Sequence, residues 1–423
     1  MLKIFFLFLS INLFALNFTI TQLGKCENKC DNTVLIFGGI QGDEPGGFHA
    51  ASLLISDYEI TKGKVVVVPN LAFDSIIARS RGENGDLNRK FAALSENDPD
   101  YYTIELIKKI IKAPEVKLII NLHDGSGYFS PTYINKDKNP KKWGNSCIID
   151  QVSIDAKYGN LNEIASKVCE EINQKLLKNI HSYHLKNTET AKGDEEMLKS
   201  LTYYAITQGK AAFANEASKN LPTHERVYYH LLAIESYLKS AGVEFKRDFE
   251  LNPKEVKAVI EKPIFINIEN RFLLSLKKPR ARINYVPIKL PFSYKASNEL
   301  TAILPSKDSF FVQYGNRFQT RLFLEKNTEY SDITDHLELI VDDMKLKTDF
   351  AKLIKVKEYF LINHQENVRI NVIGYNGKGS EDEIKISLKN LDKRFSIDNN
   401  GKIYRVEAYE ENKFIGAILV EFD

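Results

Sequence analysis

The sequence predicts an α/β domain followed by two small all-β domains. From Val34 to about Gly242, short apolar runs alternate with segments of helical spacing, which is typical of a largely parallel sheet covered by helices on both faces. After Gly242 the apolar runs are short and alternating, and Pro, Asn, Gly and Lys separate them, as in antiparallel β domains. The length of 423 residues also exceeds one ordinary domain of ~150 residues.

Each element is assigned from its apolar pattern and its flanking turn residues. In the α/β domain, strands are predicted at 34–37, 65–68, 116–122 and 211–215, and helices at 101–112, 161–178 and 222–242. In the following part, strands are predicted at 265–268, 282–286, 310–312 and 320–324. The last part has strands at 368–373, 383–387 and 417–420, with Asn-Gly turns between them, and this pattern favours an immunoglobulin-like sandwich. The predicted domains are 18–247, 248–338 and 339–423.

The amino terminus predicts export from the cytoplasm. Lys3 precedes a mostly apolar run, and Ala15 is a small residue suited to cleavage, so residues 1–17 are predicted to be a secretory signal peptide. An uncleaved anchor is the alternative. No later stretch has ~18 unbroken apolar residues, so no membrane span is expected in the mature chain. The 58 basic and 56 acidic residues nearly cancel, which argues against a nucleic-acid binder.

Four cysteines would then meet an oxidising compartment, where three pairings are possible. Cys26 and Cys30 are close enough in sequence to form a short disulfide-bonded loop near the amino terminus of the mature chain. They lack the double Cys-x-x-Cys spacing of a zinc site, so all four cysteines are interpreted as structural.

Three polar residues at predicted strand ends form a candidate metal site. Gln41 and Glu44 lie in the glycine-rich turn after the first strand, and His123 ends the strand that begins at Val116. The carboxyl ends of parallel strands share one edge of a sheet, where such domains keep their sites. An amide, a carboxylate and an imidazole with one open position are the arrangement of a catalytic zinc. An ordinary polar turn and a structural histidine are the alternative interpretations.

Two further stretches carry groups suited to peptide hydrolysis. Asn88 and Arg89 combine an amide donor with a forked cation, which suits a carboxylate, and Arg81 is a second planar cation that could stabilise an oxyanion. Glu216 closes an apolar strand, so burial should raise its pKa toward the range of a general base. A solvated basic loop and a helix-capping glutamate are the corresponding structural alternatives.

Four features in this order resemble the carboxypeptidase A-like zinc metallocarboxypeptidases over residues 33–242: Gln-x-x-Glu, Asp-Leu-Asn-Arg-x-Phe, a strand-end His and a late Phe-x-x-Glu. The resemblance implies a carboxypeptidase-like mixed sheet. It also implies Gln41, Glu44 and His123 as zinc ligands, and Glu216 as general base. The implied substrate-binding residues are Arg81, Asn88 and Arg89.

The family normally has His where this chain has Gln41, and an amide oxygen is a poorer zinc donor than imidazole. A narrower group with the same glutamine is similar in domain order: the cell-shape-determining peptidoglycan DL-carboxypeptidases of spiral bacteria. This resemblance implies a periplasmic enzyme that trims muropeptide tripeptides to dipeptides between γ-D-glutamate and meso-diaminopimelate. Tyr128 and Lys141 are candidates for binding the second end of diaminopimelate.

Two other functions remain open at this point. A non-catalytic peptidoglycan-binding protein would keep the clamp with a weakened metal site, and an amidohydrolase of the succinylglutamate desuccinylase type would share the Asn-Arg pair. The two β domains could bind protein partners or serve as a scaffold. His181-Ser182-Tyr183-His184 resembles a ligand tripeptide of digestive carboxypeptidases but follows a helix instead of a core strand, so it is predicted to be a surface segment.

Overall fold

The computed structural model describes residues 18–25, 31–377 and 379–423. The predicted signal peptide, Cys26 and Cys30 lie outside the described residues. The chain divides into two compact units, of which the first ends at Glu261 and the second runs from Lys262 to Asp423. Within the part of the chain that the structure describes, no helix is long and apolar enough to cross a membrane.

Strands and helices alternate through the first unit, as predicted. In chain order they are β1 (Thr21–Leu23), β2 (Thr33–Phe37), α1 (Pro45–Asp57), β3 (Tyr58–Lys62), β4 (Lys64–Val68), α2 (Phe73–Ala78), α3 (Tyr101–Lys112), β5 (Val116–Gly125), β6 (Tyr128–Phe129), β7 (Lys138–Asn139), β8 (Ser146–Ile149), α4 (Leu161–Asn173), β9 (His184–Asn187), α5 (Leu201–Thr207), β10 (Ala211–Ser218), α6 (Thr223–Ser240), β11 (Glu244–Arg247) and α7 (Pro253–Ile260). Short 3-10 helices span Leu87–Arg89, Asn179–His181, Thr190–Lys192 and Met197–Lys199.

A seven-stranded mixed sheet in the order β1-β4-β2-β5-β10-β8-β9 forms the centre of this unit. Strands β4, β2, β5 and β10 are parallel, whereas β1 and β8 run antiparallel to their inner neighbours. Every residue of β2 is buried, and so is nearly every residue of β5. Because burial on both sides of a strand requires cover on both faces of the sheet, the predicted α/β fold class is confirmed.

Helix α4 is shorter than predicted, because it ends at Asn173 and not at residue 178. The side chain of Asn173 donates to the Tyr183 carbonyl and accepts from the Tyr183 amide, and these bonds hold the helix end against a later segment. Cys147 and Cys169 are both buried free thiols, so neither takes part in a disulfide.

The second unit is built of strands. They are β12 (Phe265–Ile268), β13 (Phe272–Ser275), β14 (Arg282–Val286), β15 (Tyr294–Ala296), β16 (Thr301–Pro305), β17 (Phe310–Tyr314), β18 (Arg317–Leu324), β19 (His336–Val341), β20 (Met344–Asp349), β21 (Leu353–Val356), β22 (Tyr359–Ile362), β23 (Arg369–Val372), β24 (Ile386–Ser387), β25 (Ile403–Glu410) and β26 (Lys413–Phe422). Short 3-10 helices span Leu388–Asn390 and Lys393–Phe395.

This unit has two hydrophobic cores, which agrees with two small all-β parts. The later part is a sandwich, because the four-stranded sheets β20-β19-β22-β24 and β21-β26-β25-β23 both contribute to one core. The other core also takes up Phe414 of β26, so the two parts share side chains.

The predicted joint near residue 247 falls inside the first unit. The charged segment there is β11, which pairs with β3, and Arg247 Nε lies 2.6 Å from Glu235 Oε1 of α6. Residue 338, the second predicted joint, lies within β19. Both domain boundaries were predicted from changes in amino-acid composition. At both positions the backbone belongs to a paired strand, so the change in composition does not coincide with the end of strand pairing.

Candidate active site

The candidate site lies where three neighbouring parallel strands end. Strands β2, β5 and β10 are adjacent in the sheet, so their carboxyl ends meet at one edge. Gln41 and Glu44 follow β2 in a turn that Pro45 ends by starting α1. His123 and Glu216 are direct partners in the register of β5 and β10. The fold thus brings together side chains that are far apart in sequence.

The three candidate metal ligands face one another. Nδ1 of His123 lies 2.9 Å from Glu44 Oε2 and 3.2 Å from Gln41 Oε1, and all three residues are buried. Two acceptor oxygens facing one ring nitrogen can be satisfied by a proton, or by a metal ion in its place. Ligands bound at about 2.0–2.2 Å around a tetrahedral zinc are about 3.3–3.6 Å apart, so a small expansion would admit the ion.

The amide of Gln41 is needed to complete this set. Among the described residues, no three His, Cys, Asp or Glu side chains are grouped so that they could hold a metal ion. Nε2 of Gln41 donates to both carboxylate oxygens of Asp86, at 2.8 and 2.9 Å. Because the amide nitrogen is bound on that side, the carbonyl oxygen must face His123. Asp86 therefore selects the rotamer in which Gln41 can act as an oxygen ligand.

Asp86 also organises the loop that follows α2. It accepts from the backbone amide of Asn88 at 3.0 Å and from Arg81 Nε at 2.9 Å. Burial raises the pKa of its carboxyl, but the hydrogen bond from Gln41 and the charge of Arg81 outweigh burial, so the net shift is downward. Asp86 is thus held as an anion.

Glu44 is held at both carboxylate oxygens. Its Oε2 accepts from the backbone amide of Asp124 at 3.1 Å. Its Oε1 lies 3.6 Å from Arg81 Nη1 and 3.5 Å from Lys219 Nζ. Lys219 also donates to Asp43 at 2.6 Å. These two cations offset the charge of Glu44 on the side away from His123.

Asp124 connects the two segments that carry the candidate ligands. Its Oδ2 accepts from the Gly46 amide at 2.8 Å and from Arg226 Nη1 at 3.0 Å, and its Oδ1 lies 3.1 Å from His230 Nε2. Gly46 belongs to the first turn of α1, which lacks a side-chain cap of its own. A Cβ at Gly46 would lie 2.3 Å from Asp124 Oδ1, so only glycine permits this approach. Asp124 therefore caps α1 from a distant strand.

The predicted clamp residues line the same cavity, which has a volume of about 310 Å³. Asn88 Oδ1 accepts from the Leu201 amide at 3.0 Å, which leaves its Nδ2 group directed toward the site, 3.5 Å from His123 Nε2. Arg89 is anchored by Nη1 to the Asn88 carbonyl at 3.1 Å. Arg81 is half-exposed. Three cationic or amide groups therefore face a space that can hold a small anion.

Glu216 has the environment expected of a proton acceptor. The residue is partly buried, and its Oε2 atom lies away from water without a hydrogen-bond partner among the described residues. Burial raises its pKa most, and although His123 opposes this, the pKa reaches about 8. A Cβ at Gly125 would lie 2.7 Å from Glu216 Oε2, so this glycine keeps room for the carboxylate.

Sequence reasoning missed several residues of the cavity. Trp143, Met197 and Thr202 line it, and none of them belongs to a recognisable motif. The two candidates for binding diaminopimelate, Tyr128 and Lys141, are not among the described residues that line it. Tyr128 instead stacks on His181, with ring centroids 5.6 Å apart. Ser126 of the same loop does line the cavity, so the assignment of Tyr128 and Lys141 stays a prediction.

The prediction of a surface segment at 181–184 is also wrong. His181 and Tyr183 are buried, and His184 begins β9 at the edge of the central sheet. His181 Nδ1 lies 2.9 Å from the Tyr229 hydroxyl, and burial lowers the pKa of the ring to about 4. The polar side chains of this segment gave no sign of the edge strand or of the buried residues just before it.

Most of the chain matches two family models of known proteins. Residues 1–261 match the family described as the catalytic domain of carboxypeptidases controlling helical cell shape, and residues 330–423 match the C-terminal domain of metallo-carboxypeptidases. No curated protein sequence matches the chain.

Two solved structures of Csd4 from Helicobacter pylori are similar over almost the whole chain. The tripeptide-bound cell shape determinant is 41% identical, covers 96% of this chain and 100% of its own, and has a TM-score of 0.87. The mDAP-bound form, a D,L-carboxypeptidase, is 41% identical, covers 95% and 100%, and has a TM-score of 0.88. The chain is therefore a hydrolase that belongs to the family of metallocarboxypeptidases controlling helical cell shape.

Proposed function

We propose that this protein is a zinc-dependent DL-carboxypeptidase that trims muropeptide tripeptides to dipeptides by cutting between γ-D-glutamate and meso-diaminopimelate. The observation that carries the proposal is the convergence of Gln41, Glu44 and His123 beside Glu216 in one cavity. The tripeptide and mDAP bound by Csd4 support the substrate, because that relative is similar over 96% of this chain.

In this proposal Gln41, Glu44 and His123 would hold the zinc ion. When bound, zinc supplies a Lewis acid that polarises the scissile carbonyl and makes water a better nucleophile. A neutral Gln41 would leave more of the ion's positive charge unquenched than a carboxylate would, and Asp86 keeps the amide oxygen facing His123. Other divalent ions with the same ligand preferences are tested by metal analysis below.

The remaining steps belong to the protein's own side chains. Glu216 accepts a proton from the attacking water, whose oxygen forms the new bond to the carbonyl carbon. Arg81 stabilises the negative charge that develops on the carbonyl oxygen. The C–N bond then breaks, and Glu216 returns the proton to the leaving amine. Release of meso-diaminopimelate and a dipeptide completes the hydrolysis.

The carboxylate of the terminal residue would be bound by Asn88 and Arg89. A guanidinium and an amide can donate to both carboxylate oxygens at once, which would fix the scissile bond relative to Glu216 in the same cavity. The anchors of Asn88 on Leu201 and of Arg89 on the Asn88 carbonyl limit their motion. This pre-organisation favours a short substrate that ends at the clamp.

Export to the periplasm completes the proposal. The substrate class lies outside the cytoplasm, and the sequence of residues 1–17 has the features of a signal peptide. The family match at 330–423 supports a separate final domain, close to the predicted 339–423. Binding of protein partners remains a proposal for the second unit.

The decisive experiment compares the wild-type chain with Glu216→Gln on purified tripeptide muropeptide. The variant keeps the shape of the site but removes the proton acceptor, so turnover should fall at least about a hundredfold. Glu244→Gln, on exposed strand β11, is the matched control and should be fully active. Mass spectrometry should detect dipeptide and diaminopimelate, and metal analysis should find about one zinc per chain.

Undiminished dipeptide formation by Glu216→Gln would refute the assignment of the general base. A wild-type chain that binds tripeptide without cleaving it would favour a peptidoglycan-binding protein. Cleavage of N-acyl amino acids in preference to muropeptides would favour the amidohydrolase alternative.

A further inference from the structure

The four-stranded sheet β14-β18-β17-β16 of the second unit has a row of side chains that crosses all its strands. Leu304 pairs with Phe311, Phe311 with Arg321, and Arg321 with Arg282. The adjacent row, through Val312 and Thr320, is buried in the core. Because successive residues of a strand point to opposite faces, the row that ends at Arg282 faces away from the core. We call this row, together with Phe323, the arginine face.

The arginine face carries two positive charges that no described carboxylate balances. Arg282 is exposed and Arg321 is partly exposed, and the two are direct partners across parallel strands. Like charges directly opposite each other on neighbouring strands destabilise a sheet. No described acidic side chain lies within 4.0 Å of either guanidinium. By contrast, Arg394 in the same unit pairs with Asp392 at 2.6 Å.

An aromatic ring lies near each guanidinium group. The guanidinium carbon of Arg321 lies 4.2 Å from the centre of the Phe311 ring, and that of Arg282 lies 5.8 Å from the centre of the Phe323 ring. A guanidinium attracted to an aromatic ring keeps N–H groups that can donate to another partner. Nearby Phe318 is 43% exposed and lies edge-on to Phe311, with centroids 6.1 Å apart. The face therefore combines cationic donors with exposed apolar surface.

We propose that the arginine face binds intact peptidoglycan through the carboxylates of its peptide stems. The inference rests on the proposed function, which makes peptidoglycan the substrate class. Guanidinium edges match carboxylates, which recur along this polymer, and the neighbouring rings offer apolar surface to the groups between them. Because the catalytic cavity takes only one stem, a second attachment site would raise the local concentration of further stems.

Sedimentation of the full-length chain with purified sacculi tests this inference. All compared proteins carry Glu216→Gln, which prevents digestion and leaves the contribution of the catalytic cavity the same in each. Replacing Arg282 and Arg321 by glutamine should weaken binding about tenfold, since two charge-assisted contacts are lost. Arg394→Gln, an exposed arginine that already has a partner, is the matched control and should bind like the parent. Raising the salt concentration should weaken parental binding.

The carboxylates are tested by chemical amidation of the sacculi, which should reduce parental binding as much as the double substitution does. In the active background, the double variant should cleave soluble tripeptide at the parental rate and digest sacculi more slowly. If replacing Arg321 lowers stability because its contact with Phe311 is lost, the single substitution Arg282→Gln tests the inference instead.

Equal sedimentation of the parent and the double variant would overturn the inference. So would an equal loss in Arg394→Gln, or binding to anionic phospholipid vesicles without binding to sacculi. Failure of the proposed function would be seen separately, as intact soluble tripeptide after incubation with the wild-type chain.

Discussion

Replacing Asp86 by alanine should weaken zinc binding while leaving the fold intact. Asp86 accepts two hydrogen bonds from the Gln41 amide, and its own position is fixed by the Asn88 amide and Arg81. Without the carboxylate, the two ends of the Gln41 amide become nearly equivalent in energy. The nitrogen would then face the metal in a large fraction of molecules, and nitrogen of an amide is not a metal ligand.

The size of the effect follows from the hydrogen bonds that are lost. A hydrogen bond to a charged group contributes about 1.5–3 kcal/mol, and this energy now holds the amide oxygen toward the site. Its loss corresponds to about a 10–100-fold increase in the zinc dissociation constant. This is the range found when residues that hydrogen-bond to metal ligands are removed. Asp86→Asn keeps one acceptor oxygen and should fall between the alanine variant and the wild type.

Competition with a chromophoric chelator measures the zinc dissociation constant directly, and thermal unfolding of the metal-free proteins shows whether the fold is kept. Glu83→Gln is the matched control, because Glu83 lies in the same loop and its carboxylate accepts from Ser80 at the surface. Excess zinc should restore part of the activity of Asp86→Ala. A dissociation constant within twofold of wild type in a folded Asp86→Ala protein would refute the reasoning.

Three further predictions concern stability and access to the site. Asp124→Asn leaves one oxygen for Gly46, Arg226 and His230, so the free energy of unfolding in denaturant should fall by about 3–5 kcal/mol, as for a broken buried ion pair; an unchanged midpoint would contradict this. Gly125→Ala should abolish tripeptide cleavage, because its Cβ would lie 2.7 Å from Glu216 Oε2, and should also lower the unfolding midpoint, because the same Cβ would lie 2.6 Å from the Gly144 backbone nitrogen; full activity would contradict it. The pKa of His181 is lowered from 6.5 to about 4, so the unfolded chain binds one more proton than the folded chain between these values. Stability should therefore fall by up to ~3 kcal/mol as pH drops from 6.5 to 4, and His181→Gln should flatten this part of the unfolding profile.

The fold class was predictable because it depends on periodicity along the chain. Completely buried strands such as β2 and β5 give continuous apolar runs, and α3 coincides with the predicted helix at 101–112. Strand β9 was missed because an edge strand with His and Lys side chains has no such run. The limits of the two units depend on which strands pair, as β11 shows, and composition does not report pairing.

The proposed ligands were predictable because the ends of neighbouring parallel strands meet at one edge of the sheet. This rule selected Gln41, Glu44, His123 and Glu216 without knowledge of their distances. The residues that orient them were not assigned a role, because their action depends on contacts between distant segments. Asp86 was part of a recognised motif, yet only the position of the Gln41 amide shows what its carboxylate does.

By itself, then, the sequence determined the order of strands and helices and the chemical groups at the strand ends, since both are encoded locally. The tertiary structure alone decided that Asp124 caps α1, that Trp143 and Thr202 line the cavity, and that Arg282 lies opposite Arg321. Each of these depends on the register and packing of segments that are remote along the chain, and many arrangements of such segments are compatible with the same local pattern.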